Sequence, residues 1–163
     1  MEGNKSMKIL VDADACPVKD IIEEVASAFK LRVLMFIDTS HILYSDYSEI
    51  IPVSKAPDAV DFALINRTEA GDIVVTQDYG VAAMALGRRA FAIHPAGKVY
   101  DDSNIEQMLM ERDLAKELRR SRERIGGRPK KRTYQDDERF QAAFVQLCRK
   151  ASEGTSTTGE DGD

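Results

Sequence analysis

Apolar positions along this chain follow two rhythms, and the switches between them predict its elements. Lys8-Ile9-Leu10-Val11 is a short continuous apolar run, as a strand covered on both faces requires, and it stops at Asp12-Ala13-Asp14. Val18, Ile21, Ile22, Val25, Ala26 and Phe29 then recur at helical spacing, which predicts an amphipathic helix with Pro17 in its first turn and Cys16 as its cap. Residues 32–37 read as a second strand and 50–53 as a third, short one. Pro57 opens a second helix with Val60, Ala63 and Leu64 on one face, and Gly71 ends or follows it. Asp72-Ile73-Val74-Val75-Thr76 is another buried strand, 79–87 a helix of small residues, and 90–93 the last strand. Ser103-Asn104-Ile105-Glu106 has the capping-box pattern of a helix start, and Phe140, Ala143, Phe144 and Leu147 mark a final helix. Strands alternating with helices predict an α/β domain of three layers: a central, mostly parallel sheet flanked by helices, with further helices at the C-terminal end.

Composition sets the limits of that domain. A chain of 163 residues with 43% hydrophobic content can bury one ordinary core. The last apolar helix position falls before Lys150, so residues 7–150 are expected to fold as one unit. Residues 1–6 are expected to be flexible. The stretch 151–163, Ser/Thr/Gly with acids and no large apolar side chain, is expected to be a disordered acidic tail, because it cannot offset its ordering entropy. No segment approaches the roughly 20 apolar residues of a membrane span, and no signal-peptide pattern opens the chain. Two cysteines, Cys16 and Cys148, exclude a disulfide framework. The expected setting is the cytoplasm, with no membrane partner and the oligomeric state left open.

The net charge of −5 hides an asymmetry. Between Glu111 and Arg132 ten basic residues face four acidic ones, a net +6 that leaves −11 for the rest of the chain. This segment, with Arg128, Lys130 and Lys131 near its end, can contact a polyanion while the remainder stays acidic. A solvated helix followed by a mixed-charge loop is the plainer alternative.

The acids carry the chemistry. Asp12 and Asp14 close the first strand, Asp78 closes a later one, and Asp58 and Asp61 lie three apart on one helix face. In parallel α/β sheets, ligands gather at the carboxyl ends of the strands, where Asp12, Asp14 and Asp78 are predicted to sit. Carboxylates converging there need a counterion. Hard oxygen donors with only two histidines in the chain suit Mg²⁺ or Mn²⁺, and a phosphodiester is the logical substrate. The metal set read this way is Asp12, Asp14, Asp58, Asp61 and Asp78, with Asp12, Asp61 and Asp78 catalytic. Asp14 and Asp58 also suit plain helix-start roles, and Asp72 lies at the wrong end of its strand. Lys55 and His41 lie where they could meet a phosphate, Cys16 suits a small buried thiol, and Tyr44, Tyr47 and Tyr79 could stack on bases.

Val11-Asp12-Ala13-Asp14-Ala15-Cys16-Pro17, Asp58-Ala59-Val60-Asp61-Phe62 and the run from Gly71 through Thr76-Gln77-Asp78-Tyr79-Gly80 resemble the bacterial YaiI/YqxD family. So do Gly126-Gly127-Arg128 and the stretch from Phe140 to Leu147, and the resemblance spans nearly all of residues 7–150. That family is similar to the PIN and NYN ribonuclease domains. The resemblance implies a PIN-like fold in which Asp12, Asp61 and Asp78 match the nuclease acids, Asp14 and Asp58 are accessory, and Thr76 matches the small hydroxyl residue before the last acid and is expected to touch substrate. Where those nucleases carry a further acid and then Phe, this chain has Tyr79-Gly80.

Three functions are weighed on these grounds. A metal-dependent ribonuclease would use the Asp cluster for hydrolysis and the basic segment to hold single-stranded RNA. A non-catalytic RNA-binding or regulatory module would keep the fold without the chemistry. A haloacid-dehalogenase-type phosphatase would use Asp12 as nucleophile in its Asp-x-Asp, but Asp78-Tyr79-Gly80 fits that pattern poorly.

Overall fold

Two faces of one sheet organise the chain. The computed structural model describes residues 7–14, 16–121 and 131–161. In chain order the elements are β1 (Lys8–Asp12), α1 (Lys19–Phe29), β2 (Arg32–Asp38), β3 (Glu49–Val53), α2 (Ala59–Asn66), β4 (Ile73–Val75), α3 (Tyr79–Gly87), β5 (Phe91–Ile93), β6 (Val99–Tyr100), α4 (Ile105–Ser121) and α5 (Tyr134–Asp161). The strands order as β3-β2-β1-β4-β5-β6, parallel except for the last pair.

Side-chain alternation divides the core. Ile9, Val11, Val33, Met35, Ile37, Ile73 and Val75 face one way and pack with α1 and with Phe140, Phe144, Leu147 and Cys148 of α5. Leu10, Leu34, Phe36, Val74 and Ala92 face the other way and pack with Leu64 and Ile65 of α2, Val81, Ala82 and Ala85 of α3, and Ile105 of α4. The period of two along each strand thus fills both helix layers. Burying each large side chain contributes about 1.5–3 kcal/mol. Pro52 sits in β3, an edge strand, the place in a sheet where a missing N–H is tolerated.

Several boundaries move from their expected places. Helix α1 begins at Lys19 behind Val18, two residues after Pro17, and has no side-chain cap; Cys16 is buried rather than capping. Helix α2 ends at Asn66, so Gly71 follows its end, where it supplies a positive-φ turn (φ +89°) before β4. The sheet gains a hairpin partner, β6, beyond the strands that the pattern predicts. It is two residues long, too short to show a period, and it makes the far edge of the sheet antiparallel. Its turn holds Gly97 at φ +101°, where a Cβ would come within 2.9–3.0 Å of the backbone of Arg139 and Phe140 in α5. Helix α5 continues past Lys150 to Asp161, so the stretch expected to be a disordered tail is helical that far. The spacing of Phe140, Phe144, Leu147 and Cys148 runs on to Ala151, which is buried in the same cluster; a small apolar residue extends the packed face by a turn. Among the described residues, no helix is long and apolar enough to cross a membrane.

At the amino edge of the sheet, Asp72 is structural. Its Oδ1 accepts from the Lys8 backbone N–H (3.0 Å), and its Oδ2 accepts from Lys8 Nζ (2.9 Å) and the Glu69 N–H (2.8 Å). Asp72 is 2% exposed. Removing one member of a buried pair strands the other charge, at about 3–5 kcal/mol. Asp72→Ala is therefore expected to lower urea-unfolding stability by about that much, and Glu69→Ala, whose carboxylate is mostly exposed, by about 1 kcal/mol or less.

Candidate active site at the carboxyl edge of the sheet

Strand β1 lies between β2 and β4. The chain first winds outward through β2 and β3, then crosses back to place β4 on the other side of β1. That reversal opens a crevice at the carboxyl ends of β1 and β4. Val11 pairs with Val75, which sets Asp12 beside Thr76. The buried Thr76 hydroxyl donates to Asp12 Oδ2 (3.2 Å) and accepts from the Asp78 N–H (3.0 Å). Thr76, expected to touch substrate, is instead 1% exposed and orients the two acids. Asp78 caps α3 through Oδ1, which accepts from the N–H groups of Gly80 (2.8 Å) and Val81 (3.2 Å).

The Tyr79-Gly80 pair has a local reason. A Cβ at Gly80 would lie 3.1 Å from Asp78 Oδ1, so the glycine makes room for the cap. Tyr79 packs edge-on against Tyr100 (centroids 5.7 Å apart), and the Tyr100 hydroxyl donates to the Thr76 carbonyl (3.2 Å). Burial, then the proximity of Tyr79 and Asp78, pushes the Tyr100 phenol up. Tyr79 therefore braces the strand end.

Asp12 is the electrostatic centre. Burial first, then the charges of Asp61, Asp14 and Asp78, push its carboxyl from 3.8 up to about 6, against the opposing Thr76 hydrogen bond. Asp61, in the first turn of α2, is also raised, by burial and then by Asp78 and Asp58. Asp58 is exposed at φ +64°, just ahead of α2, and makes no side-chain cap bond. Asp14, Asp58 and Asp78 thus supply like charge that penalises the ionised forms of Asp12 and Asp61.

A tighter constellation lies beside them. Among the described residues, Asp14, Asp38 and His41 each bring a ligand atom within 4.8 Å of the others. Asp14, which also suited a plain cap, reaches across to β2: its Oδ2 accepts from the Asp38 N–H (3.2 Å). His41 Nδ1 lies 3.0 Å from Asp38 Oδ1 and 3.1 Å from Asp14 Oδ1. The second contact is close in distance but off the hydrogen-bond direction, so the buried Asp14 Oδ1 has no hydrogen-bond partner. The Ser40 hydroxyl and N–H, then His41, hold the Asp38 carboxyl below the usual carboxylate range. The sequence pattern does not single out Asp38. The available signal was positional: it closes β2 as Asp12 closes β1. His41, expected at a phosphate, is engaged with two carboxylates.

The remaining expected residues scatter. Lys55 is exposed in the β3–α2 connection and Lys131 is exposed before α5; Arg128 and Lys130 lie outside the described residues. Arg132, also in the basic segment, is structural: Nε pairs with Asp137 (2.7 Å) and the guanidinium donates to the Pro95 carbonyl (2.9 Å). Two basic residues of α4 do reach the site. Arg112 and Lys116 line a cleft of about 530 Å³ together with Gln77, Asp78 and Tyr79, and the buried Arg112 Nε has no hydrogen-bond partner. Cys16 is buried, which pushes its thiol up and away from reactivity.

The sign of the Asp12 shift makes a stability prediction. Its folded pKa lies above the unfolded value, so the folded state keeps this proton to higher pH. Stability is lost as pH rises from about 4 to about 6, and the loss is complete above that window. Asp12→Asn keeps an oxygen for Thr76 and removes the charge. In chelator, urea titration is expected to show the variant more stable than wild type by about 1–3 kcal/mol at pH 8, with the advantage gone near pH 4. An equal difference at both pH values would contradict this.

The family model described as "Uncharacterized BCR, YaiI/YqxD family" matches residues 10–150. The chain is similar to UPF0178 proteins of Lachnoclostridium phytofermentans (60% identical, covering 90% of this chain and 99% of the relative) and Clostridium acetobutylicum (59%, covering 88% and 98%). It is similar also to a UPF0178 protein of Ruminiclostridium cellulolyticum (51%, covering 91% and 96%). No solved structure matches it significantly. On the length of these matches and their identity, the chain belongs to the YaiI/YqxD (UPF0178) family.

Proposed function

We propose that this protein is a metal-dependent phosphodiester hydrolase acting on single-stranded RNA in the cytoplasm, on a PIN-like version of the α/β fold. The observation that carries the proposal is the burial of Asp12 at the β1–β4 crevice within the field of Asp14, Asp61 and Asp78. Four carboxylates there without a counterion are costly; a divalent cation converts that cost into affinity.

The residues fit such an ion. The donors are carboxylate oxygens with one imidazole nearby, and the buried Asp14 Oδ1 lacks a hydrogen-bond partner. Asp12, Asp61 and Asp78 would hold Mg²⁺ or Mn²⁺, with Asp14 and Asp58 accessory. Asp38 and His41 extend the set, and an imidazole favours Mn²⁺ over Mg²⁺. When bound, the ion supplies Lewis acidity and a water of lowered pKa. The chain's own groups do the rest. Thr76 orients the Asp12 carboxylate and, through the Asp78 N–H, the turn that carries Asp78. Arg112 and Lys116 offer positive charge to a backbone phosphate beside Asp78.

One observation favours a second reading, an RNA-binding module without catalysis. The ligand atoms that gather within 4.8 Å are those of Asp14, Asp38 and His41, not those of Asp12, Asp61 and Asp78. A phosphatase reading is weaker still, because the acids around Asp12 oppose the approach of a phosphomonoester dianion.

An end-labelled single-stranded RNA, incubated with Mn²⁺, with Mg²⁺ and with chelator, separates these readings. Cleavage is expected in Mn²⁺ or Mg²⁺, to vanish in chelator, and to fall more than about a hundredfold in Asp12→Asn. Cleavage that survives Asp12→Asn overturns the proposal; binding without cleavage in either metal favours the module. Thr76→Ala, which frees the Asp12 carboxylate from its anchor, is expected to lose about 10–100-fold in kcat, with RNA affinity kept.

A further inference from the structure

Asp38 and His41 do more than extend the acids around Asp12. The two aspartates after β1 are held on opposite flanks of that strand: Asp12 by Thr76 after β4, Asp14 by the Asp38 N–H at the end of β2. The chain turns sharply after β2, with the His41 N–H donating to the Asp38 carbonyl (3.1 Å). That turn brings the His41 ring back to the Asp38 side chain, and the parallel register of β1 and β2 sets both beside Asp14. The Ser40 N–H donates to Asp38 Oδ1 (2.8 Å), as the Asp38 N–H does to Asp14 Oδ2 (3.2 Å). Backbone groups therefore orient both carboxylates and leave lone pairs to spare.

Three lone-pair atoms face one another here. His41 Nδ1 lies 3.0 Å from Asp38 Oδ1 and 3.1 Å from Asp14 Oδ1. An imidazole carries at most one proton on Nδ1, and its direction suits Asp38. Asp14 Oδ1 is buried and keeps no hydrogen-bond partner. Among the described residues, no lysine or arginine pairs with either carboxylate. A proton thus satisfies two of the three atoms, whereas a cation between them satisfies all three. The spacing also suits one class of ion. With bonds of about 2.1–2.2 Å, donors sharing an octahedral edge lie about 3.0–3.1 Å apart, and those sharing a tetrahedral edge about 3.5 Å. An imidazole among the oxygens selects a first-row transition metal over Mg²⁺ or Ca²⁺.

We propose that Asp14, Asp38 and His41 bind a first-row transition-metal dication, of which Zn²⁺ is the tighter-binding and Mn²⁺ the weaker example, at a site separate from Asp12, Asp61 and Asp78. Water completes its coordination, since the His41 side chain is 58% exposed. The ion clips the connection after β1 to the connection after β2, and it binds whether or not the acids around Asp12 hydrolyse RNA.

Equilibrium dialysis of the full chain against Zn²⁺, in about 5 mM Mg²⁺ to occupy hard-oxygen acids, tests this. Wild type is expected to bind one Zn²⁺ per chain. His41→Ala and Asp38→Asn are each expected to bind at least about tenfold more weakly, with thermal unfolding of His41→Ala in chelator unchanged. Asp12→Asn and His94→Ala are expected to keep the wild-type affinity to within about threefold. X-ray absorption at the zinc edge is expected to show nitrogen and oxygen donors at about 2.0–2.2 Å. Zinc binding that is lost in Asp12→Asn but kept in His41→Ala overturns the proposal. So does sulfur ligation at about 2.3 Å, or a wild-type chain that binds no Zn²⁺.

Discussion

The pairing of Val11 with Val75 is the constraint on which the site rests. Residues one step further along two parallel strands lie side by side, so this register alone brings Asp12 to Thr76. From there the order spreads through short contacts: the Thr76 hydroxyl to the Asp12 carboxylate, the Asp78 N–H back to that hydroxyl, and the Asp78 carboxylate onto the first turn of α3. A slip of one residue would turn the apolar faces of β1 to the wrong helix layer, and it would separate Asp12 from its anchor. Core packing on both sides of the sheet therefore holds the acids in place at the edge.

Those acids are in a position that hydrophobic packing alone would not favour. Asp12 is largely buried, its neighbours repel it, and its carboxyl is raised as a result. The rest of the molecule shows what a satisfied buried acid looks like. At the opposite edge, Asp72 is more deeply buried yet bonded to Lys8 and to two backbone N–H groups. One edge of the sheet closes its charges internally, and the other leaves them open toward solvent. The contrast marks the carboxyl edge as the candidate site.

Much of this was legible in the chain. Strands β1, β2 and β4 are short continuous apolar runs, and α1 shows a clear helical period, so the α/β class and the placement of Asp12 and Asp78 at strand ends followed from local pattern. Asp38 did not follow, because nothing in Ile37-Asp38-Thr39 distinguishes a strand-end acid at the site from a solvated one. Only the adjacency of β1 and β2 brings it to Asp14. Arg112 was seen as one charge in a basic segment; the packing of α4 on α3 is what carries it to Asp78. Arg132 went the other way, a basic residue drawn inward by Asp137 and the Pro95 carbonyl. Strand β6 is only two residues long, and the continuation of α5 through Ala151 rests on one small side chain, so periodicity registers neither.

The proposed function requires a divalent cation at the carboxyl edge. Crystals grown in Mn²⁺ and measured at a wavelength where manganese scatters anomalously locate the ion directly. The expected result is an anomalous peak about 2.2 Å from an Asp12 carboxylate oxygen, with Asp61 or Asp78 within coordination distance, and its disappearance in Asp12→Asn. An empty crevice around Asp12 at saturating Mn²⁺, with manganese bound elsewhere on the protein, would contradict it.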